Sequence, residues 1–547
     1  MPDHYTTACK EYSFDLPPAF NFGFDIIDER AQVTPERVAY IAVDRLANTV
    51  RHTTYKELSQ ASNRFANVLT GLGAVKGDFA LVVIERIPAW FETLLGCIKL
   101  GVIAMPGTTL LTARDIQYRI NKAGARFAIV SAEHAEKVEK IRAECPTLEH
   151  LIIIKQPRAG WIHYERACAS ASTCLAGTGD QATRADETML AYFTSGTTAD
   201  PKLVPRDHGY AKAHEITGRF WLDLNAEDIH WTLSDTGWAK AAWGMLFGPW
   251  MAGAAIVLYD GGSGFDADLH LRLITQLKVT TFCAPPTVYR LFTQQNLGSY
   301  DLSSIRHSVS AGEPLNPEVI RVWKETTGTL VHDGYGQTET VNVVANFPFM
   351  PVRPGSMGKP APGFTVAVVD DHGKPRASGE IGHIAVKLTD PYPPGLFHGY
   401  YDAPDALDKS SFRNGWYYTG DTAHVDDDGY IWFVGRSDDI ISSASYRISP
   451  FEVESALQAH EAVAESAVVG KPDALRGEIV MAYVVLADGF SPNDALVVNI
   501  QDFVKSRTAP YKYPREIVFR KALPKTISGK IRRVDLRAEA ITVSNTA

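Results

Sequence analysis

Phe79–Gly107 reads FALVVIERIPAWFETLLGCIKLGVIAMPG. FALVVIE (Phe79–Glu85) is an apolar run of strand length. Pro88–Leu100 follows with Trp90, Phe91, Leu94, Leu95 and Ile98 at helical spacing, which predicts an amphipathic helix. GVIAMPG then predicts a short strand ending at a turn. The cycle repeats on both sides of the chain's middle. Ile116–Ala123 reads as helix and RFAIVSA (Arg126–Ala132) as strand; Asp268–Leu277 reads as helix and VTTFCAPP (Val279–Pro286) as strand. Strand–helix–strand alternation predicts α/β layers with mostly parallel sheets.

The C-terminal stretch has a different rhythm. HIAVKL (His383–Leu388) and YIWFVG (Tyr430–Gly435) are short alternating strands, and DDDG (Asp426–Gly429) marks a tight turn between hairpin arms. Phe451–His460 predicts a helix, SAVVGKPD (Ser466–Asp473) the end of a strand, VMAYVVLAD a strand, Asn499–Lys505 a helix and REIVFR a strand. The expected fold is therefore α/β: a large N-terminal domain of layered sheets (1–437) and a small α+β domain (438–547), with the boundary in GRSDD (Gly435–Asp439).

Composition narrows the function classes. The chain has 547 residues, which at roughly 150 per domain excludes one small domain. Hydrophobic residues make up 45% and charged residues 21%, so disorder and fibrous repeats do not fit. Fifty-four basic against 63 acidic residues give a net charge of −9, which disfavours bulk attraction to nucleic acid or anionic lipid. Six cysteines without a CxxC pair exclude a disulfide framework and a zinc ribbon. The opening MPDHYTTACKEYSF lacks a signal-peptide pattern. The longest apolar run, near Pro249–Tyr259, is about half the ~20 residues of a membrane span. A soluble cytoplasmic protein, monomer or homodimer, is the expectation.

The sharpest chemical segment is YFTSGTTADPKLVPRDH (Tyr192–His208). A Ser/Thr/Gly loop lets backbone N–H groups converge on an anion, and Lys202 adds a point charge. It is not a Walker A loop, since no Gly directly precedes Lys202 and no Ser or Thr follows it. Read alone it is either a phosphate cradle or an ordinary polar loop. HDGYGQTET (His332–Thr340) adds an aromatic, an amide and two hard oxygen donors, Thr338 and Glu339, suited to Mg²⁺ beside a polyphosphate. Asp421, closing WYYTGD, can accept both hydroxyls of a ribose or can simply end a hairpin. Lys530, in LPKTISGK, sits on a glycine-flanked turn. His208, His230 and His332 lack metal-ligand spacing and carry no assigned role.

Taken in order, TSGTTADPK, SDTGW, SAGEP, YGQTET, YYTGD, YRISPFEVESAL, PDALRGE, TAPYKYPR and LPKTISGK resemble the adenylate-forming superfamily. Within it the chain is most similar to medium-chain acyl-CoA synthetases. That resemblance implies a mobile C-terminal lid and two half-reactions. A carboxylate displaces pyrophosphate from Mg·ATP to give an acyl-adenylate, and the CoA thiol then displaces AMP. It also implies roles. Thr194, Ser195, Gly196, Thr197, Thr198 and Lys202 would hold the ATP phosphates. Gly312, Glu313 and Pro314 would line the adenine pocket, with Asp333, Gly334, Tyr335, Gly336, Gln337 and Thr338 beside them. Thr338 and Glu339 would hold Mg²⁺. Asp421 would bind the ribose, Arg436 and Arg447 the ribose and phosphates. Lys530 would bridge the attacking carboxylate and the α-phosphate, and Asp438 falls at the hinge. CoA would meet Ala444, Ser445, Tyr446, Arg476, Ser506 and Arg515.

Trp238 and Gly336 would line the acyl pocket; Trp238 also reads as a core tryptophan. Acetate-specific relatives carry Trp at the position of Gly336, so Gly there implies room for a medium-chain or aromatic acid. The chain departs from the family at Ala199 and Ser445, where Gly is usual. Two other classes remain at this stage: a nucleotide- or CoA-binding protein without catalysis, and an adenylating enzyme that passes its acyl group to a carrier-protein thiol or an amine.

Overall fold

The computed structural model describes residues 4–175, 183–194, 201–262, 264–313, 315, 317–401, 409–444, 446–473, 475–525 and 531–545. The chain forms two compact units. One contains Met1–Thr194, Lys202–Thr365 and Leu388–Asp408; the other contains Val366–Lys387 and Lys409–Ala547.

The first unit holds two sheets. A seven-stranded sheet runs, edge to edge, through Ile162–His163, His150–Ile154, Phe127–Ser131, Phe79–Val83, Ile103–Pro106, Thr188–Thr194 and Lys202–Asp207. All its pairings are parallel except the last, where Thr194 stands opposite Lys202. The helix Pro88–Leu100 forms within the limits the sequence predicts, for visible reasons. Proline occupies its first turn, and Gly101 ends it in the left-handed region at φ 70°. The helix Ala113–Ala123 starts three residues earlier than its apolar pattern suggests. Thr112 and Asp115 close a capping box ahead of Ile116.

A nine-stranded sheet runs through Lys359–Pro360, Asn342–Ala345, Val331–Gly336, His307–Ala311, Thr281–Ala284, Ile229–Thr232, Ala255–Tyr259, Val38–Val43 and Val50–Thr54. Its inner pairings, from Val331–Gly336 to Val38–Val43, are parallel; its edges are antiparallel. Trp231, Phe282, Tyr289, Phe292 and Trp323 form the aromatic centre of the core against this sheet. The segments after Ile229–Thr232, His307–Ala311 and Val331–Gly336 all leave the carboxyl ends of parallel strands, where open α/β sheets bind their ligands.

The second unit also holds two sheets. Val366–Val369, Gly382–Lys387, Trp416–Val425 and Phe412–Arg413 form one, with Ile431–Arg436 paired to Trp416–Val425. The other joins Tyr446–Ile448, Ile441–Ser443, Gly477–Leu486 and Val463–Asp473, with Glu516–Arg520 parallel to Gly477–Leu486. The helices Pro450–Gln458 and Asp494–Arg507 contribute Val453, Leu457, Ile500 and Val504 to its core. Among the described residues no helix is long and apolar enough to cross a membrane.

Candidate active site

Within the first unit, three of the sequence's motifs converge on neighbouring strand ends. Thr194 and Lys202 are Cα partners at the ends of the antiparallel pair. Ser195, Gly196, Thr197, Thr198 and Ala199, between them, lie outside the described residues, as do Pro314, Ser445 and Lys530. Lys202 places its ammonium 4.8 Å from the centre of the Tyr400 ring. The hydroxyl of Tyr400 donates to Glu339 Oε1 at 2.9 Å. On the same strand as Lys202, Arg206 donates to the Glu339 carbonyl at 2.8 Å and stacks 4.0 Å over Tyr210. One corner therefore gathers two cations, a phenol and a carboxylate. Tyr400 and Arg206 are not singled out by the sequence, because what marks them is their contact with Glu339.

Gln337–Thr340 form a turn. The Gln337 N–H donates to Thr340 Oγ1 at 2.9 Å, and the buried Thr340 hydroxyl donates to the Val341 carbonyl. Thr338 and Glu339 sit half-buried on this turn. Two hard oxygen donors fit Mg²⁺ only as a minority of six ligands, the others being phosphate oxygens and water. Among the described residues no cluster of three His, Cys, Asp or Glu could hold a metal by itself. The donor set thus suits a metal carried in by a polyphosphate.

Asp333, on the strand leading to this turn, is buried. Burial pushes its carboxyl up to about 8, against opposing hydrogen bonds from the Gly334 and Leu315 amides and the charge of Lys240. Lys240 donates to the Ala311 carbonyl at 3.0 Å, tying the Trp238 segment to the start of the Gly312 loop. Gly312 has φ 110°, which no side chain would adopt readily; Glu313 beside it is half-buried. Trp238 is half-buried rather than a sealed core residue. Gly334 and Gly336 have no spare room. A Cβ on Gly334 would lie 2.4 Å from Trp221, and one on Gly336 would lie 2.2 Å from the Val341 carbonyl and 2.6 Å from Trp243 Cη2. The open wall expected at Gly336 is therefore backed by a second tryptophan. Tyr335, between these glycines, is half-buried.

Within the second unit, Asp421 lies inside the ten-residue strand Trp416–Val425, not at a hairpin turn. It stands directly opposite Arg436, with Arg436 Nη1 3.4 Å from Asp421 Oδ1. Asp421 is buried, whereas the Arg436 side chain is 40% exposed and also faces Asp438 at 3.6 Å. Asp438 is held from its own unit: its carbonyl accepts from Arg537 at 3.2 Å. Arg447 is exposed on the strand Tyr446–Ile448.

The residues tied by resemblance to CoA form a basic, aromatic group. Tyr446 stacks on Tyr511 with ring centres 3.9 Å apart. The Ala444 N–H donates to the Arg476 carbonyl at 2.7 Å, so Ala444 is pinned beside Arg476. Ala444 itself has φ 56°, so among described residues the strained position in this loop is 444. Arg515 and Lys505 flank the Tyr513 ring at 5.2 and 4.4 Å, next to Ser506 at the end of the helix Asp494–Arg507.

Comparison with known proteins identifies the family. Residues 27–401 match the AMP-binding enzyme family, and residues 452–530 match the AMP-binding enzyme C-terminal domain. The mouse protein acyl-coenzyme A synthetase ACSM3, mitochondrial, is 41% identical over 98% of this chain and 93% of its own length. The rat protein acyl-coenzyme A synthetase ACSM4, mitochondrial, is 43% identical over 95% of this chain and 91% of its own. Among solved structures, the anthranilate CoA ligase AuaEII in complex with anthranoyl-AMP superposes with a TM-score of 0.89. It is 32% identical and covers 97% of this chain and 99% of its own. A benzoate CoA ligase from Burkholderia xenovorans LB400 superposes with a TM-score of 0.83 at 28% identity, covering 95% of this chain and all of its own.

These relatives correct the cytoplasmic expectation, because the mouse and rat proteins are mitochondrial by name. The physical reason for the error is simple. Six free thiols separate a reducing milieu from an oxidising one, but not one reducing compartment from another.

Proposed function

From the premise that this chain belongs to the AMP-binding enzyme family, and is an AMP-forming acid–CoA ligase, we propose the site assignment and the acid class. The acid is a medium-chain fatty or aromatic carboxylate. The reading is supported by relatives that are acyl-coenzyme A synthetases and by structural neighbours that are anthranilate and benzoate CoA ligases. The observation that carries the site assignment is the corner of Lys202, Tyr400 and Glu339 at the strand ends of the first unit.

In the first half-reaction a carboxylate oxygen bonds to the α-phosphorus of ATP, and the bond to the β-phosphate oxygen breaks, releasing pyrophosphate. Such chemistry is chiefly positioning and charge stabilisation. Thr194 and Lys202, with the loop between them, hold the phosphates. Thr338 and Glu339 would hold Mg²⁺, which would neutralise phosphate charge. Gly312, Glu313 and Asp333–Gln337 surround the adenine. Asp421, oriented by Arg436, takes the ribose hydroxyls, and Arg447 contributes charge. Lys530 bridges the incoming carboxylate and the α-phosphate. In the second half-reaction the CoA sulfur bonds to the acyl carbon, the thiol proton leaves, and the bond to AMP breaks. Tyr446, Arg476, Ser506 and Arg515 steer the CoA nucleotide.

We place the functional boundary at Asp438, dividing 1–437 from 438–547. It is supported by strand pairing: one sheet of the second unit ends at Arg436 and the next begins at Ile441.

Lys530→Ala tests the assignment. We expect acid-dependent ATP–pyrophosphate exchange to fall about a hundredfold or more, as for loss of one preorganised charge. Thioester formation from supplied acyl-adenylate should be largely spared. Equal loss in both half-reactions would overturn a role confined to adenylation, and unchanged exchange would remove Lys530 from that step. Absence of exchange in the wild type across fatty and aromatic acids would overturn the acid class.

A further inference from the structure

Gly395–Tyr401 (GLFHGYY) belongs to no helix or strand, yet it is fastened to both sides of the corner that holds Lys202 and Glu339. On one side the Tyr401 N–H donates to the Leu203 carbonyl at 2.9 Å, His398 Nε2 lies 3.2 Å from Asp207 Oδ2, and Arg206 donates to the Gly395 carbonyl. These three contacts hold the segment to the strand that starts at Lys202. On the other side the Phe397 N–H donates to the Glu339 carbonyl at 2.9 Å. Tyr392 steadies the middle, its hydroxyl donating to the Phe397 carbonyl at 2.9 Å. The Phe397 ring meets the Tyr400 ring edge-on, with centres 4.9 Å apart. Tyr400 is thus set in place by backbone and ring contacts that its hydroxyl does not supply.

Tyr400 touches two charges of opposite sign. Its ring faces the Lys202 ammonium at 4.8 Å, and its hydroxyl donates to Glu339 Oε1 at 2.9 Å. A lysine and a glutamate that share one neighbour have an obvious alternative, which is to pair with each other. That pair would fill the places a phosphate and its cation need, and it would have to break before either could bind. Among the described residues neither Lys202 nor Glu339 forms an ion pair. The ring attracts the ammonium through its quadrupole without supplying a counter-charge. The hydroxyl takes one carboxylate oxygen and not the other.

We propose that Tyr400 is a positioning residue that keeps Lys202 and Glu339 from neutralising each other, and so holds the corner open for a magnesium-bound polyphosphate. The claim rests on the acid–CoA ligase reading and deepens it. It gives the phenol a role distinct from contact with any substrate: one ring separates the cation assigned to phosphate from the carboxylate assigned to the metal.

The test is a double-mutant cycle on the full-length protein, read as ATP affinity by titration calorimetry with Mg²⁺ and no acid present. Tyr400→Leu removes both the ring face and the hydroxyl, and should weaken ATP binding about tenfold. Glu339→Gln removes the carboxylate that Lys202 would pair with. In that background Tyr400→Leu should cost less than about twofold, because there is no ion pair left to prevent. Tyr400→Phe keeps the ring and its contact with Phe397, and should weaken binding by less than the leucine variant. Its loss should also vanish in the Glu339→Gln background, so it carries the test if the leucine variant does not fold. In acid-dependent pyrophosphate exchange the loss should fall on the KM for ATP more than on kcat. The same fold-loss with and without the Glu339 carboxylate would make Tyr400 an ordinary structural contact, and unchanged ATP affinity in a folded Tyr400→Leu would equally overturn the proposal. A wild type that binds no ATP and shows no acid-dependent exchange would instead overturn the ligase reading beneath it.

Discussion

Asp333 shows what a single position contributes beyond its place in a motif. Its sequence context suggests only a polar neighbour for adenine; burial makes it a carboxylic acid that is largely protonated at neutral pH, with a value of about 8. The sign of the linkage follows. A carboxyl raised in the folded state contributes stability that is full below its unfolded value and is lost as pH rises through about 8. Asp333→Asn keeps the size and hydrogen bonding of the neutral acid and removes the titration. The variant should therefore gain on the wild type between pH 7 and pH 9, by about 1 kcal/mol, in paired denaturant melts. A constant difference across that range would mean that Asp333 does not titrate there. Legibility at this scale was uneven. The motif residues could be named from the sequence because their spacing is local. Tyr400 and Trp243 could not, because what marks them is contact with Glu339 and Gly336, many residues away in the chain. Asp421 could be named, but its strand setting opposite Arg436 depends on pairing that the sequence does not state.

At the level of elements, boundaries were readable where a chemical signal marks them and lost where the signal is polar. Pro88–Leu100 is bracketed by proline and glycine and was read to the residue. The helix read at Asn499–Lys505 runs from Asp494 to Arg507: Asn493 caps it, and its opening Ala495–Val498 is an unbroken apolar run without helical spacing. The strand ending in SAVVGKPD begins at Val463, in a stretch interrupted by Glu465 and Ser466. The π-turns Thr217–Trp221 and Trp243–Phe247, whose helices cross backbone to backbone at Gly218 and Gly248, left no trace, since one inserted residue does not disturb an already apolar helix. Their crossing makes a prediction about glycine. Gly218→Ala drives a methyl into the Gly248 backbone and should cost about 1–3 kcal/mol. Gly71, at the end of the helix Tyr55–Gly71, has nothing within 4 Å of its would-be Cβ. Gly71→Ala should be neutral or stabilise by up to about 1 kcal/mol. Urea melts of the two variants beside the wild type compare them directly. Similar effects at both positions would show that helix propensity, not the crossing, governs Gly218.

Across the molecule, what the sequence could not convey is which side chains end up sealed together, and the histidines carry that lesson into a measurable property. Spacing gives His208, His230 and His332 no metal-ligand role. Instead they are components of the first unit's interior. His230 bridges the hydroxyls of Thr281 and Thr232 at 2.7 Å each, in a fully buried setting. His307 and His332 lie with ring centres 4.5 Å apart. Burial pushes His208 and His307 down to about 4, and His230 and His332 down to about 3, the last two lowered further by the neighbouring His307. Each is neutral when folded and takes a proton once exposed. The stability they contribute is complete above the unfolded value of about 6.5 and is lost as pH falls below it, down to the folded values. At pH 5 unfolding should therefore take up about four protons on these imidazoles, against well under one at pH 7.5, which corresponds at pH 5 to roughly 5 kcal/mol per pH unit. Calorimetric melts in buffers of differing ionisation enthalpy read that uptake directly. Replacing His230 by Gln, which can still bridge the two threonines, should lower it by about one proton and reduce the acid loss of Tm. Uptake unchanged between pH 7.5 and 5 would show that these imidazoles are already charged inside the folded chain.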